Sequence, residues 1–334
     1  MTISPQEVSL TVGLDLGSTS IKVVALGSRR RGERYATLYK GGGPRPIVGR
    51  SLVPVSAGED ADRSGAIRAA VEALGFPVQT VNVAVSGQWV LIRVLEMPIM
   101  SPAEVRQALP FEAQRYLPFN VQDVILDGAI LGPAEAKKIW VLIVACKKEL
   151  VERRIDWARR AGLGIALIDV EALALANGLL ADGNGHAKQG TRAVMNVGAQ
   201  LTNVVVFQND IPYLVRDVPW GAERLTRQAA EQVGGRAEDI QAALLEGRLS
   251  PEMRGALTVA TEALVSELQL SFDYFENRFG QPPETMLVSG GLSQSADFIE
   301  ALRSHLTQTV MPWTPASELS GQFAVAYGLA LRTC

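Results

Sequence analysis

Two short segments of the chain carry residues suited to gripping a phosphate chain. The first is Asp15-Leu16-Gly17-Ser18-Thr19, set between the apolar run at 10–14 and the run Ile21-Lys22-Val23-Val24-Ala25-Leu26. Backbone N–H groups converging in a tight turn bind anions, and hydroxyls assist them. Glycine is needed where the backbone comes close to the anion or takes positive φ. Gly17, Ser18 and Thr19 meet that description, and Lys22 adds a positive charge. Asp15, ending the first strand, offers a carboxylate that would hold Mg²⁺ through its waters, because magnesium keeps part of its hydration shell. Taken alone, the segment reads equally well as an ordinary β-hairpin with a glycine turn.

The second segment, Asn196-Val197-Gly198-Ala199-Gln200, echoes the first at an offset of 181 residues. Strand, polar residue, glycine, polar turn and β-rich strand fall in register over 14–25 and 195–206, as a duplicated unit requires. Asn196 stands where the first copy has Asp15. An amide hydrogen-bonds a metal-bound water but carries no charge and cannot act as a base. Phosphate binding by the turn would survive such a change; hydrolysis is in doubt.

A third segment, Ser289-Gly290-Gly291-Leu292-Ser293, is a strand running into glycines, where a flat base can lie close to the backbone. A plain strand-to-helix turn fits it as well. Asp169 ends a short buried strand at 165–169. It is placed either as a general base at the rear of a cleft or as a cap on the helix 170–180, and the cap is favoured. Glu267 reads, by spacing alone, as a solvated residue on a long helix at 252–279.

The remaining composition narrows the function. With 334 residues the chain exceeds what one core usually supports, so two lobes are expected. Its 47% hydrophobic and 20% charged residues describe a globular protein, and a net charge of −3 gives no basis for nucleic-acid binding. The basic clusters at Arg29-Arg30-Arg31 and 147–160 read as solvated faces. Cys146 and Cys334 make no metal spacing or disulfide framework, and His186 and His305 are too few for a zinc site. Residues 1–7 lack a signal-peptide pattern, and no apolar run approaches the roughly 20 residues of a membrane span. A cytosolic chain is expected.

The elements that must position these residues follow from periodicity. Strands are expected at 10–14, 21–26 and 81–85, a loop at 41–44 and a helix at 61–74. Residues 88–162 read as a separate unit of order strand, helix, strand, strand, helix. Its first helix opens on Ser101, Pro102 and Glu104, a capping box. Pro110 is expected to kink or break that helix. The run of turn formers at 182–185 marks a boundary. Helices at 221–233 and 252–279, a strand at 285–289 and a helix at 296–306 follow. A final helix at 322–331 is apolar around most of its face and therefore expected to be buried. The division is a first lobe at 8–87 and 164–185 carrying an inserted module at 88–163. A second lobe at 190–222 and 280–320 carries a helical part at 223–279, and the last helix, 321–334, packs on the first lobe.

Together these features resemble the actin/hexokinase superfamily. Within it the chain is similar to the PilM family of type IV pilus assembly proteins, relatives of the division protein FtsA. The resemblance rests on Gly13-Leu14-Asp15-Leu16-Gly17-Ser18-Thr19-Ser20-Ile21-Lys22-Val23-Val24, and on Met97-Pro98 through Tyr116-Leu117-Pro118-Phe119 in the module. Pro219-Trp220-Gly221-Ala222-Glu223-Arg224-Leu225-Thr226, Glu267-Leu268-Gln269-Leu270-Ser271 and Ser289-Gly290-Gly291 extend it. It implies an α/β, actin-like (ribonuclease H-like) fold of two lobes with an inserted α+β subdomain. It implies a first phosphate site at Asp15, Gly17, Ser18, Thr19 and Lys22, and a second at Asn196, Gly198, Ala199 and Gln200 with Gly221 beside it. Glu267 would sit near the ribose and Gly290-Gly291 near the adenine of ATP, with Mg²⁺. The implied function is a cytoplasmic scaffold, monomeric or weakly self-associating, held peripherally at the inner membrane through partners. Those partners are the N-terminal tail of a PilN-like inner-membrane protein and other pilus or secretion-platform components. The tail is expected beside the module near Pro118-Phe119. Two alternatives are a small-molecule kinase using Asp169 as base, and an FtsA-like filament-forming membrane adaptor, which would need a basic amphipathic C-terminal helix.

Overall fold

The structure, a computed structural model, describes residues 10–27, 45–55, 62–182 and 190–333. The arginine cluster at 29–31, the loop at 41–44, the linker glycines 183 and 185, His186, Cys334 and residues 1–7 lie outside the described residues.

The first lobe opens with β1 (Thr11–Leu16) and β2 (Ser20–Leu26), continues through β3 (Ile47–Pro54) and α1 (Ser64–Glu72), and reaches β4 (Thr80–Val85). The inserted module follows as β5 (Val90–Pro98), α2 (Pro102–Gln114), β6 (Val124–Ala134) and β7 (Lys138–Lys147). After α3 (Lys148–Arg160) the chain returns to the first lobe with β8 (Gly164–Val170) and α4 (Glu171–Leu180). The second lobe contains β9 (Thr191–Val197), β10 (Thr202–Gln208), β11 (Ile211–Val218) and the helices α5 (Ala222–Val233), α6 (Ala237–Leu245) and α7 (Pro251–Phe279). It ends with β12 (Thr285–Gly290), α8 (Ala296–His305) and β13 (Thr309–Pro312), before α9 (Ala324–Leu331).

The two large sheets have one topology. Lobe 1 orders its strands β3-β2-β1-β4-β8, and lobe 2 orders them β11-β10-β9-β12-β13. In each, the first three strands run antiparallel and the last two add in parallel. Both opening hairpins close on a four-residue turn, between Leu16 and Ile21 in one and Val197 and Thr202 in the other. Asp15 faces Lys22 across the first ladder, and Asn196 faces Asn203 across the second. The duplication seen in the sequence is thus a duplication of the fold, and Asn203 stands where Lys22 stands.

The module's sheet runs β5-β7-β6, with α2 laid on it through Val105, Leu109 and Ala113. The capping box forms: Glu104 N–H donates to Ser101 Oγ at 3.3 Å, and Ser101 N–H donates to Glu104 Oε2 at 2.7 Å. Of the kink or break expected at Pro110, the break does not occur: α2 runs through it from Pro102 to Gln114. Pro110 is exposed, as is Arg106, so the carbonyl that loses its donor faces water. Helix α3 touches both the module, where its Leu150 packs with Cys146 of β7, and lobe 1. Its Trp157 and Ala158 pack with Ile67 and Ala70 of α1 in the core of lobe 1.

Between the lobes lie α4 and α9. Leu173, Leu175 and Leu179 of α4 share a core with Val194, Val205 and Phe207 of lobe 2, and with Ile92 and Leu142 of the module. Helix α9 is buried on every side, against α4, β1 and β2, which suits a helix apolar all round. Backbones touch here: a Cβ on Gly328 would stand 1.8 Å from Ala174 O, and one on Gly13 would stand 2.0 Å from Ala326 O. The module is also fastened to lobe 2. The rings of Trp140, Tyr213 and Phe279 lie 4.6–5.4 Å apart, and Arg278 stacks on Trp140 at 4.7 Å while reaching Glu96 at 3.5 Å.

Candidate functional site

The first hairpin leaves no room for a side chain at its turn. A Cβ on Gly17 would stand 2.8 Å from Ser20 O and 2.9 Å from Lys22 Nζ. Ser18 is half-buried and Thr19 exposed at the tip. Lys22 Nζ sits 3.1 Å from Asp15 Oδ2, and both side chains are largely buried. The lysine charge is therefore held on the aspartate at the root of the turn.

The second hairpin is braced by the head of α5. Gly198 N–H closes the turn on Leu201 O at 2.9 Å. The carbonyls of Gly198 and Ala199 accept from Ala222 and Glu223 N–H at 3.0 and 2.9 Å. In a planar trans peptide the C=O and the following N–H point opposite ways, so Ala199 and Gln200 N–H face away from α5. Gly221 is required at this crossing, since a Cβ there would lie 2.5 Å from Ala199 O. Gln200 reaches Glu223 at 3.1 Å.

Asn196 belongs to a directed chain of side chains. The Ser289 hydroxyl lies 3.4 Å from Asn196 Oδ1, and Asn196 Nδ2 donates to Asn203 Oδ1 at 3.3 Å. Asn203 Nδ2 donates to Asp217 Oδ1 at 2.8 Å, and the other Asp217 oxygen accepts Gly87 N–H of lobe 1 at 2.7 Å. A carboxylate at 196 has no proton for Asn203, so the amide serves this link between lobes.

The floor between the hairpins is acidic. Glu171, the first residue of α4, is pushed up to about 7 by burial first, then by the Asp15 and Asp217 carboxylates. A Ser86 hydrogen bond and the Arg154 charge oppose the rise. Burial also raises Asp217, against the stabilising Gly87 N–H and Asn203 amide. The two lobes thus converge on Glu171. Sequence reasoning missed Glu171, Asp217 and Asn203, and nothing in their local pattern marks them.

Gly290, at φ 90°, ends β12 so close to β9 that a Cβ would stand 2.2 Å from Val197 O. Around Gly291 a Cβ would meet nothing within 4 Å, leaving an open face. Glu267 does not join this group: it accepts from Arg216 Nη2 at 2.8 Å across the α7–β11 contact. Asp169 does not join it either. Its carboxylate lies 3.2 Å from Arg332 and accepts Val170 N–H at 2.8 Å, so it is neither a helix cap nor a free base. Burial raises it, and Arg332 counters that. Among the described residues no three His, Cys, Asp or Glu side chains are grouped to hold a metal ion directly. A magnesium ion here would lean on phosphate oxygens and water.

A concavity of about 900 Å³ lies between β5 of the module and β11 and α7 of lobe 2. Strands β5 and β11 are each outermost in their sheets. Leu91, Tyr116, Leu270 and Tyr274 give it apolar surface, and Gly87 and Asp217 also line it.

The solved structures similar to this chain share its architecture. The PilM-PilN type IV pilus biogenesis complex matches with a TM-score of 0.80 at 24% identity, over 96% of this chain and 97% of that one. The ethanolamine utilization protein EutJ from Carboxydothermus hydrogenoformans matches with a TM-score of 0.56 at 14% identity, over 99% and 92%. The cytoplasmic domain of EpsL, an inner membrane component of the Vibrio cholerae type II secretion system, gives 0.50 at 10% identity, over 96% and 94%. The fold is that of the actin-like ATPases, as the sequence led us to expect. The family profile described as type IV pilus assembly protein PilM matches residues 13–334. With nearly the whole sequence matched, the chain belongs to the PilM family of type IV pilus assembly proteins.

Proposed function

We propose that this chain is an actin-like scaffold of type IV pilus assembly that binds adenine nucleotide in its cleft and the tail of a PilN-like inner-membrane protein in its groove. The observation that carries the reading is the pair of duplicated glycine turns rooted on one acidic floor. Neither Gly17 nor Gly198 leaves space for a side chain beside its turn, and the Ala199 and Gln200 amides are turned away from their bracing helix. These features suit a phosphate chain. Ser18 and Thr19 add hydroxyls, Gly291 offers an open face to a base, and Asp15 would hold Mg²⁺ through water. Bound there, Mg²⁺ supplies charge neutralisation between phosphate and carboxylates. ATP then serves as a structural ligand or slow switch setting the angle between the lobes.

The groove supports the partner half of the proposal. An extended tail can add to an outermost strand while apolar side chains fill pockets beside it. The segment at Pro118-Phe119, where sequence reasoning put the tail, packs Phe119 towards Trp89 at 6.4 Å with Lys147 against both rings. The complex similar to this chain pairs PilM with PilN, which makes a PilN-like tail the natural occupant. Attachment at the inner membrane then runs through that partner. No observation favours a kinase, and α9 is buried rather than free to act as a membrane anchor.

Leu270 and Tyr274 are exposed in the groove wall, so changing them spares the core. Titrating a PilN-type tail peptide into a Leu270→Glu/Tyr274→Glu variant should show affinity at least about tenfold weaker than wild type. Unchanged affinity there, with binding abolished by alanines at Pro118-Phe119, would move the tail to the outer face. A tail peptide that binds neither protein would remove the partner proposal.

A further inference from the structure

The two hairpins are copies, yet they are braced from behind by different means. In lobe 2 the bracing comes from backbone N–H groups of α5, the helix after the third strand of the sheet. In lobe 1 the helix in that place is α1, and its N-cap residue is Arg63. Arg63 is buried, at 6% exposure, and its guanidinium reaches the turn of the first hairpin. Its Nη1 donates to Gly17 O and lies 3.3 Å from Leu16 O, while Nη2 lies 3.5 Å from Ser18 O. One planar cation thus faces three successive carbonyls.

This arrangement has a consequence for the opposite side of the turn. The carbonyls of Leu16, Gly17 and Ser18 share their peptide planes with the N–H groups of Gly17, Ser18 and Thr19. Because the planes are trans, drawing the carbonyls towards Arg63 turns those three N–H groups the other way. Successive amides turned one way make an anion-binding concavity. Three carbonyl dipoles side by side repel one another unless a cation sits against them. The guanidinium fork supplies that cation with several donors in fixed geometry, which an ammonium does not. The ring of Trp157 supports the fork, 5.5 Å from the Arg63 guanidinium and 5.0 Å from that of Arg154.

We infer that Arg63 is a positioning residue for phosphate binding, doing for the first hairpin what the head of α5 does for the second. It fixes the direction of the Gly17, Ser18 and Thr19 amides without touching the ligand. The inference rests on the nucleotide reading above for the identity of the ligand, whereas the brace itself is a property of the turn. The offset-181 echo of the hairpins gives no hint of it, since the brace lies 46 residues downstream of Gly17.

The test compares full-length wild type with Arg63→Ala and Arg63→Lys by two readouts. Amide hydrogen exchange, without nucleotide, is followed in peptides covering 12–24 and 192–205. Calorimetry with Mg-ATP gives affinity, and thermal melts report folding. Arg63→Ala should speed exchange in the first peptide and leave the second unchanged. Its Mg-ATP affinity should fall at least about tenfold, as the loss of a charge-assisted brace predicts. Arg63→Lys should recover only part of that loss, and it carries the comparison should the alanine variant fail to fold. Unchanged exchange at 12–24 overturns the brace, whether or not wild type binds nucleotide. Faster exchange with affinity within about twofold of wild type overturns the positioning role. A wild type without nucleotide affinity defeats the nucleotide reading, and the exchange result still decides the brace.

Discussion

Replacing Gly328 by alanine is expected to lower stability by about 3–5 kcal/mol, a large share of what a folded domain has in reserve. In a helix interior this substitution ordinarily gains about 1 kcal/mol, so the sign itself is informative. The reason for the inversion is backbone contact. The new Cβ would stand 1.8 Å from Ala174 O and 2.5 Å from Ala174 C, atoms that have no rotamer with which to move aside. Helices α4 and α9 would have to separate, and α9 would be pushed towards β1, where Gly13 already lets the backbones meet. The control lies in α7. A Cβ on Gly255 meets nothing within 4 Å, and Gly255→Ala should be neutral or stabilising. Denaturant melts of the two variants check the prediction, and equal shifts would contradict it.

Glu171→Gln should stabilise the chain at pH 8 and leave it unchanged near pH 4. Glu171 holds its proton up to about pH 7 in the folded chain, against an ordinary value of 4.5. Its pKa is raised by folding, so between those values the folded state binds more protons than the unfolded state. Stability from this group is complete below pH 4.5 and is lost as the pH rises to about 7. A shift of this size is worth about 3 kcal/mol, which the part-exposed position of Glu171 trims to about 2 kcal/mol. Glutamine keeps the shape without titrating and escapes that loss. Paired melts across pH 4–8 check this, and parallel curves for the two proteins would contradict it.

Much of the fold was legible because its signals are local. The hairpin at Asp15 and its echo at Asn196 each combine two β-rich runs with a glycine turn, and both the period and the turn survive in one sequence. The capping box from Ser101 to Glu104 is likewise a four-residue pattern, and α9 declared its burial by being apolar on every face. Elements with weak local signals went unread. β3 is an edge strand that alternates half-buried and exposed residues, and β13 has four residues ending in proline. β11 and the nine-residue α6 were also missed. The break at Pro110 was overread, because its cost depends on whether the freed carbonyl meets water.

The candidate site was legible only in its turns. Gly17, Gly198 and Gly290 stand out by type and spacing. Glu171, Asp217, Arg63 and Asn203 come from four separate elements and meet through the fold alone. Asn196 illustrates the limit. In sequence it is a missing carboxylate; in space its amide passes a hydrogen bond to Asn203 and on to Asp217, which receives Gly87 from the other lobe. Gly87 and Asp217 also line the groove, so the hydrogen-bond chain that leaves the second hairpin at Asn203 ends on two residues of the proposed partner surface.

Calorimetric titration of Mg-ATP into the full chain, with and without a PilN-type tail peptide, tests the central claim most directly. The expected result is saturable nucleotide binding in both conditions, with the peptide bound at a separate site. No nucleotide affinity in either condition would contradict the account.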